Sequence, residues 1–268
     1  MINRNKWGTN KFTIRFLIVG SSILLLLVIA QLITATASFI PKLFNRSLQA
    51  SIESLRQQMD IPGASISVID DGKIVWARGF GVADKTTQRK VTTSTLFTAN
   101  SITKTLTSLA VVKLLAEKGI ALDEPVNRYL TKWKIPENSF TKRVPVTFRM
   151  LLNHTAALTS PYPTGCCGPR EALPTMQQFL EGKTPATNQP VKVINVPGES
   201  YAYCNGCYSV LQPALEDIGD KNFKLLMKEL VLTPSNMGNS TFDDTFFLED
   251  TSTIAIPYDS DGSVHQHA

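Results

Sequence analysis

Beyond residue 40 the chain has no long basic run, no interleaving of basic with aromatic residues and no zinc-finger spacing of cysteine and histidine. Those absences exclude the usual nucleic-acid-binding surfaces. The formal charge of +5 does not restore them, because Arg4, Lys6, Lys11 and Arg15 supply four of those charges before any acid occurs. Internal repeats and low-complexity tracts are missing too, which excludes solenoids and biased linkers. Histidine is scarce, and two of the three, His265 and His267, sit in a polar tail where no specific role is expected. Cysteine is limited to four residues, the adjacent pair Cys166 and Cys167 and the C-x-x-C of Cys204 and Cys207.

What is present is ample apolar content, 43% in 268 residues, enough to bury a core in one large domain or two small ones. From Phe16 to Ile40 no residue is charged. A run of about 20 apolar residues spans a bilayer as a helix, and basic residues before it keep the N-terminus cytoplasmic. The expectation is a single-pass anchor within residues 1–40, with the domain on the extracytoplasmic side of the cell membrane. The alternative is a cleaved signal peptide, with Ala35-Thr36-Ala37 as small residues at a cleavage site, and a secreted product. Both readings export the chain, and outside the cytoplasm disulfides are the default state of cysteine. Adjacent cysteines bridge each other poorly, so the expected bond joins the Cys166/Cys167 pair to Cys204 or Cys207. Free thiols and a four-thiolate zinc site stay open as alternatives, although adjacent ligands fit zinc spacing badly.

Along residues 41–268, Leu48, Ile52, Leu55 and Met59 recur at helical spacing. Two β-branched runs around Asp71-Gly72 read as a hairpin, so residues 44–98 hold a helix and a hairpin. Residues 85–97 read as a polar connector. Residues 99–250 are mainly helical. The apolar residues after Ser101 cover most of a helix circumference, which predicts a largely buried helix ended by Gly119. Thr147 and Thr175 are placed as caps of further helices. The class is α+β, an antiparallel sheet flanked by helices with a mostly helical subdomain.

Within "TANSITKTLTSLAVVKLL", Ser101 and Lys104 stand one helical turn apart, on one face. A hydroxyl beside a partly desolvated ammonium is an arrangement for an activated nucleophile. The bland reading is an N-cap and a solvated lysine. The second element lies about a hundred residues on, in "YAYCNGCYSVL", with Tyr203 and Asn205 flanking Cys204. Taken in order, "FTANSITKTLTSLAVVKLLAEKG", "VTFRMLLNHTAAL", "PGESYAYCNGCYSVL" and "PSNMGNSTF" resemble the serine β-lactamase and penicillin-binding-protein-like family. The branch resembled holds class C β-lactamases, D-Ala-D-Ala carboxypeptidases and related esterases.

The resemblance implies a β-lactamase/transpeptidase-like fold and an exported serine hydrolase acting through an acyl-enzyme on a small-molecule or cell-wall peptide substrate. Amides, esters and β-lactams all fall within that class. It implies no metal and no cofactor. Ser101 would be the nucleophile, with its backbone N–H as part of the oxyanion hole. Lys104 would shuttle the proton and set the local field, Tyr203 would be base and relay, and Asn205 would bind the substrate amide. A tyrosine is a poor base at neutral pH, so a close Lys104–Tyr203 contact is required. His154 in "HTAAL" reads as structural. Departures from the family pattern are Cys204 in place of serine, Cys207 in place of glycine, Ala156 and Ala157 in place of serine and glycine, and Pro213 inside a helix. The family's third motif has no counterpart before Ala268, so further strands are expected to be missing and one apolar face of the hairpin to lie open. The alternative function is a non-catalytic relative that binds ligand without turnover, and a separate chain supplying the strands is a third reading.

Overall fold

A computed structural model describes residues 46–161, 174–243 and 251–264. These fall into two compact units that part between Ala64 and Ser65. In the first, helix α1 (46–58) is closed by Arg56, which pairs with Glu53 at 2.6 Å and donates to the carbonyls of Ile61 and Pro62. The guanidinium thus serves the carbonyls just past the helix end, which have no helical donor.

A hairpin follows, β1 (Gly63–Asp70) and β2 (Lys73–Asp84), joined by Asp71-Gly72 and belonging to the second unit from Ser65 on. Both turn residues have positive φ, 46° and 69°, as the twist-matched two-residue turn requires. A short β3 (Arg89–Lys90) pairs antiparallel with β2, so the sheet order is β1-β2-β3. The polar connector expected at 85–97 therefore contains a strand. The segment around Ile254 joins the same region, bridging parallel to Leu96, while the Ile256 N–H reaches the Ala83 carbonyl at 2.7 Å.

A 3-10 turn (Asn100–Ile102) leads into α2 (Thr103–Glu117). Gly119 ends α2 at φ 68°, with Ile120 N–H bonded to Leu115 O and Gly119 N–H to Ala116 O, a Schellman closure. Only one face of α2 is buried, through Thr107, Ala110, Val111, Leu114 and Leu115. Leu109 and Val112 are exposed, so the expectation of a largely buried helix is corrected. Their apolar stripe meets no neighbour among the described residues that covers it.

The helices α3 (Ser139–Arg143), α4 (Phe148–Leu152) and α5 (Met176–Glu181) are short and side-chain capped by Asn138, Thr147 and Thr175. The long helix α6 (Asn205–Gly219) and α7 (Phe223–Met227), which runs on through a π-helical turn to Leu232, complete the bundle. The buried faces of α2, α4, α6 and α7 meet in one core containing Val111, Leu115, Leu151, Leu211, Leu215 and Met227. That core, with helices beside a small antiparallel sheet, is the α+β arrangement expected from the sequence. No described helix is long and apolar enough to cross a membrane. The expected anchor at 16–40 lies outside the described residues, as do Cys166 and Cys167.

Candidate active site

Ser101 sits in the 3-10 turn immediately before α2, not at the helix cap. Asn100 before it takes a left-handed φ of 44°, a conformation asparagine tolerates better than most residues, and the sharp turn leaves Ser101 exposed. The Ser101 N–H lies in this first turn, where helix N–H groups have no intrahelical acceptor. Lys104 follows in the first turn of α2, and its Nζ donates to Ser101 Oγ at 3.2 Å.

Tyr203 reaches the same oxygen, with its hydroxyl donating to Ser101 Oγ at 2.8 Å. The two residues are separated by 102 positions in sequence. The chain meets this geometry because residues 190–204 pair with residues 154–160. Thr159 N–H bonds Lys192 O, Ile194 N–H bonds Ala157 O, Gly198 N–H bonds Thr155 O and Ala202 N–H bonds His154 O, all at 2.8–2.9 Å. The Asn205 N–H then donates to Ser160 Oγ at 2.8 Å as α6 begins. Gly206 follows, and a Cβ there would stand 2.3 Å from the Thr159 carbonyl oxygen. Only glycine allows the first turn of α6 to lie so close to that backbone.

Lys104 Nζ lies 5.1 Å from the Tyr203 ring centroid and 5.6 Å from that of Tyr208, over both rings. The Lys104 ammonium is the largest influence on Tyr203, and with the Ser101 hydrogen bond it holds the phenol below its ordinary value. The contact that the sequence reading required between Lys104 and Tyr203 is therefore present. The Asn205 side chain, by contrast, makes no hydrogen bond to Ser101, Lys104 or Tyr203. Of the four residues singled out, three converge on one oxygen and the fourth stands at the start of α6.

The cysteines differ from expectation. Cys204 and Cys207 are bonded to each other, with Cα atoms 5.3 Å apart, so neither is available to Cys166 or Cys167. The cause is helical geometry. Cys204 is the cap of α6 and Cys207 its third residue, and that turn brings their Cα atoms within the 4.4–6.8 Å range a disulfide needs. Cys204 Sγ also accepts the Cys207 N–H at 2.9 Å, as a capping serine oxygen would.

Two residues at the site had drawn no catalytic attention. Tyr208 donates its hydroxyl to Leu152 O at 3.1 Å and lies 2.8 Å from Ser108 Oγ, tying α6 to α4 and α2. His154, half-buried, packs its ring against Tyr201, Tyr203 and Tyr208, with centroid separations of 5.9, 4.7 and 5.3 Å. The tyrosine-rich spacing 201, 203, 208 was the available signal, since aromatic rings that meet in space favour tilted or edge-to-face pairs.

Residues 48–258 match the beta-lactamase family profile. The protein flp of Staphylococcus aureus (strain MW2) is 26% identical over 224 residues, which cover 81% of this chain and 42% of that protein. A D-aminopeptidase of Brucella anthropi is 26% identical over 195 residues, covering 71% of this chain and 35% of the aminopeptidase. Among solved structures, the octameric penicillin-binding protein homologue from Pyrococcus abyssi superposes with a TM-score of 0.67 and 28% identity, covering 82% of this chain and 49% of that one. The chain thus spans about half, or less, of the length of these relatives.

Proposed function

The chain belongs to the beta-lactamase family, and on that premise we propose that it is a serine hydrolase that acylates Ser101 with a small amide or ester carbonyl. The observation that carries this reading is the double approach to Ser101 Oγ, from Tyr203 at 2.8 Å and Lys104 at 3.2 Å. In the resting arrangement the phenol donates. Once Tyr203 is ionised the same line carries the Ser101 proton the other way, and Oγ attacks the carbonyl carbon. The proton passes from Tyr203 to the departing amine or alkoxide as its bond to the acyl carbon breaks, and water then hydrolyses the Ser101 ester. Lys104 supplies the positive charge that makes the phenolate accessible, and the Ser101 N–H would face the developing oxyanion.

The substrate class is supported by the D-aminopeptidase and penicillin-binding-protein relatives, which point to D-configured peptides or amides, with β-lactams as their reactive analogues. We place the domain outside the cytoplasm, held by the 16–40 run or released after its cleavage. The uncharged run behind four basic residues supports export, and so does a cystine beside the site.

The test is intact-mass spectrometry of the purified chain with a fluorophosphonate and with a β-lactam, beside Ser101→Ala. A stoichiometric adduct in the native chain and none in Ser101→Ala is the expected result. No adduct from folded native protein would sink the proposal. An adduct that never turns over would move the reading to a ligand-binding relative that retains the nucleophile.

A further inference from the structure

His154 is the hub of the loop that presents Tyr203. Its carbonyl accepts the Ala202 N–H at 2.9 Å, and its Nδ1 accepts the Cys204 N–H at 3.1 Å, so one residue grips the backbone on either side of Tyr203. Its ring lies 4.7 Å from the Tyr203 ring at an interplanar angle of 38°. The backbone at His154 is left-handed, φ 63°, and its ring is half-buried.

We infer that His154 is a positioning residue for Tyr203, and that it performs this task only as the neutral ring with its proton on Nε2. The inference rests on the serine-hydrolase reading of the site. An imidazole that accepts the Cys204 N–H through Nδ1 must keep that nitrogen bare. Protonation places an N–H against an N–H and breaks the bond. The charged group facing His154 is Lys104 from α2, a like charge to imidazolium. Among the described residues, the other titratable groups packed on it are phenols, Tyr208 from α6 and Tyr201 and Tyr203 from the gripped segment, and no carboxylate hydrogen-bonds it. Partial burial first, then Lys104, hold His154 below its ordinary value, outweighing the Cys204 contact. The ring is therefore neutral at pH 7, and acidification releases the clamp and lets Tyr203 leave Ser101.

The experiment measures the second-order rate of fluorophosphonate labelling of Ser101 across pH in the full chain, with His154→Asn and His154→Leu. The Asn side-chain oxygen stands near the place of Nδ1 and accepts the same bond without titrating in this range. His154→Leu should label about tenfold more slowly at pH 8, the rate equivalent of about one hydrogen bond. His154→Asn should recover most of that loss and, on acidification, show only the decline that protonation of Tyr203 imposes on every variant, without the further fall of the native chain as the pH passes through the lowered His154 value. The inference is overturned if His154→Asn falls with acid in parallel with the native chain, or if His154→Leu folds and labels at the native rate. Should His154→Leu fail to fold, the Asn profile together with nitrogen NMR of the His154 ring decides: a ring protonated on Nδ1 at pH 7 overturns it. The NMR arm also separates the two readings. Absence of any adduct at any pH sinks the hydrolase proposal alone, while a Cys204 amide resonance that fails to move as His154 titrates sinks the clamp alone.

Discussion

Tyr203 differs from a core tyrosine by the two groups at its hydroxyl, and each can be removed separately. General acid–base groups contribute about 10²–10⁴ in rate. Tyr203→Phe should therefore slow labelling of Ser101 by at least about 100-fold while leaving the melting temperature nearly unchanged, since the ring that packs on His154 is retained. Lys104→Met is expected to act differently. It removes the largest influence lowering the Tyr203 value, so the phenolate absorbance midpoint should rise towards the free value of about 10, and the rate maximum should move with it to higher pH. If the midpoint stays in place, Lys104 does not govern Tyr203. The His154 shift bears on acid stability. Its folded value is depressed, so the unfolded chain binds the extra proton, and stability present above about pH 6.5 is lost as the pH falls through the lowered value. The Ser101–Lys104 relation was legible from sequence because i and i+3 on a helix leave little freedom. The role of His154 was not, because it depends on a left-handed residue and on a backbone N–H 50 positions away.

The first turn of α6 concentrates three constraints in four residues: a cap at Cys204, a close backbone approach at Gly206 and the Cys204–Cys207 bond. Sequence reading placed the cysteines in an oxidised setting but joined them to the wrong partners. The start of α6 decides the pairing, and helix starts are the features that composition fixes least. The element makes two expectations separable. Serine at 204 would keep the cap, so the double change Cys204→Ser with Cys207→Ser should lower stability only by the short-loop cross-link, about 2 kcal/mol in the chain-entropy account. Denaturant unfolding with and without reductant checks this. The native chain in reductant should match the double variant, and a native chain insensitive to reductant after complete thiol alkylation would contradict it. Gly206→Ala should cost about 1–3 kcal/mol, the usual range for overpacking, because its new methyl meets the carbonyl of Thr159, a residue whose N–H is held by the Lys192 carbonyl. It should also slow Ser101 labelling, since Asn205 and Tyr203 are carried by the same turn.

Across the whole molecule the helical core is closed while the hairpin is open. The two-residue turn sets Ile69 opposite Ile74 on one face and Val68 opposite Val75 on the other. All four are exposed, at 66%, 69%, 41% and 58%. Leu109 and Val112 leave a second apolar stripe on α2. The sequence made the hairpin legible through its turn and its β-branched runs, and the expected open face is there. Yet its periodicity could not say that both faces of the distal end would be free, nor that α2 would bury only one side. Periodicity reports which residues can be buried, and the neighbours that cover them are a property of the assembled chain. Monomeric proteins rarely leave contiguous apolar patches uncovered, and an unprotected strand edge recruits other strands. The chain should therefore self-associate through the hairpin as concentration rises. Ile69→Thr with Ile74→Lys changes one face only, at positions that already meet solvent, and surface changes of this kind stay within about 0.5 kcal/mol. Sedimentation should show the native chain gaining mass with concentration and the double variant staying lighter at the same concentration. Labelling of Ser101 should be equal in the two, because Ser101, Lys104 and Tyr203 take no hydrogen bond from the hairpin. If the variant associates as the native chain does, the association runs through another surface, and the α2 stripe is the next to test, with Val112→Lys.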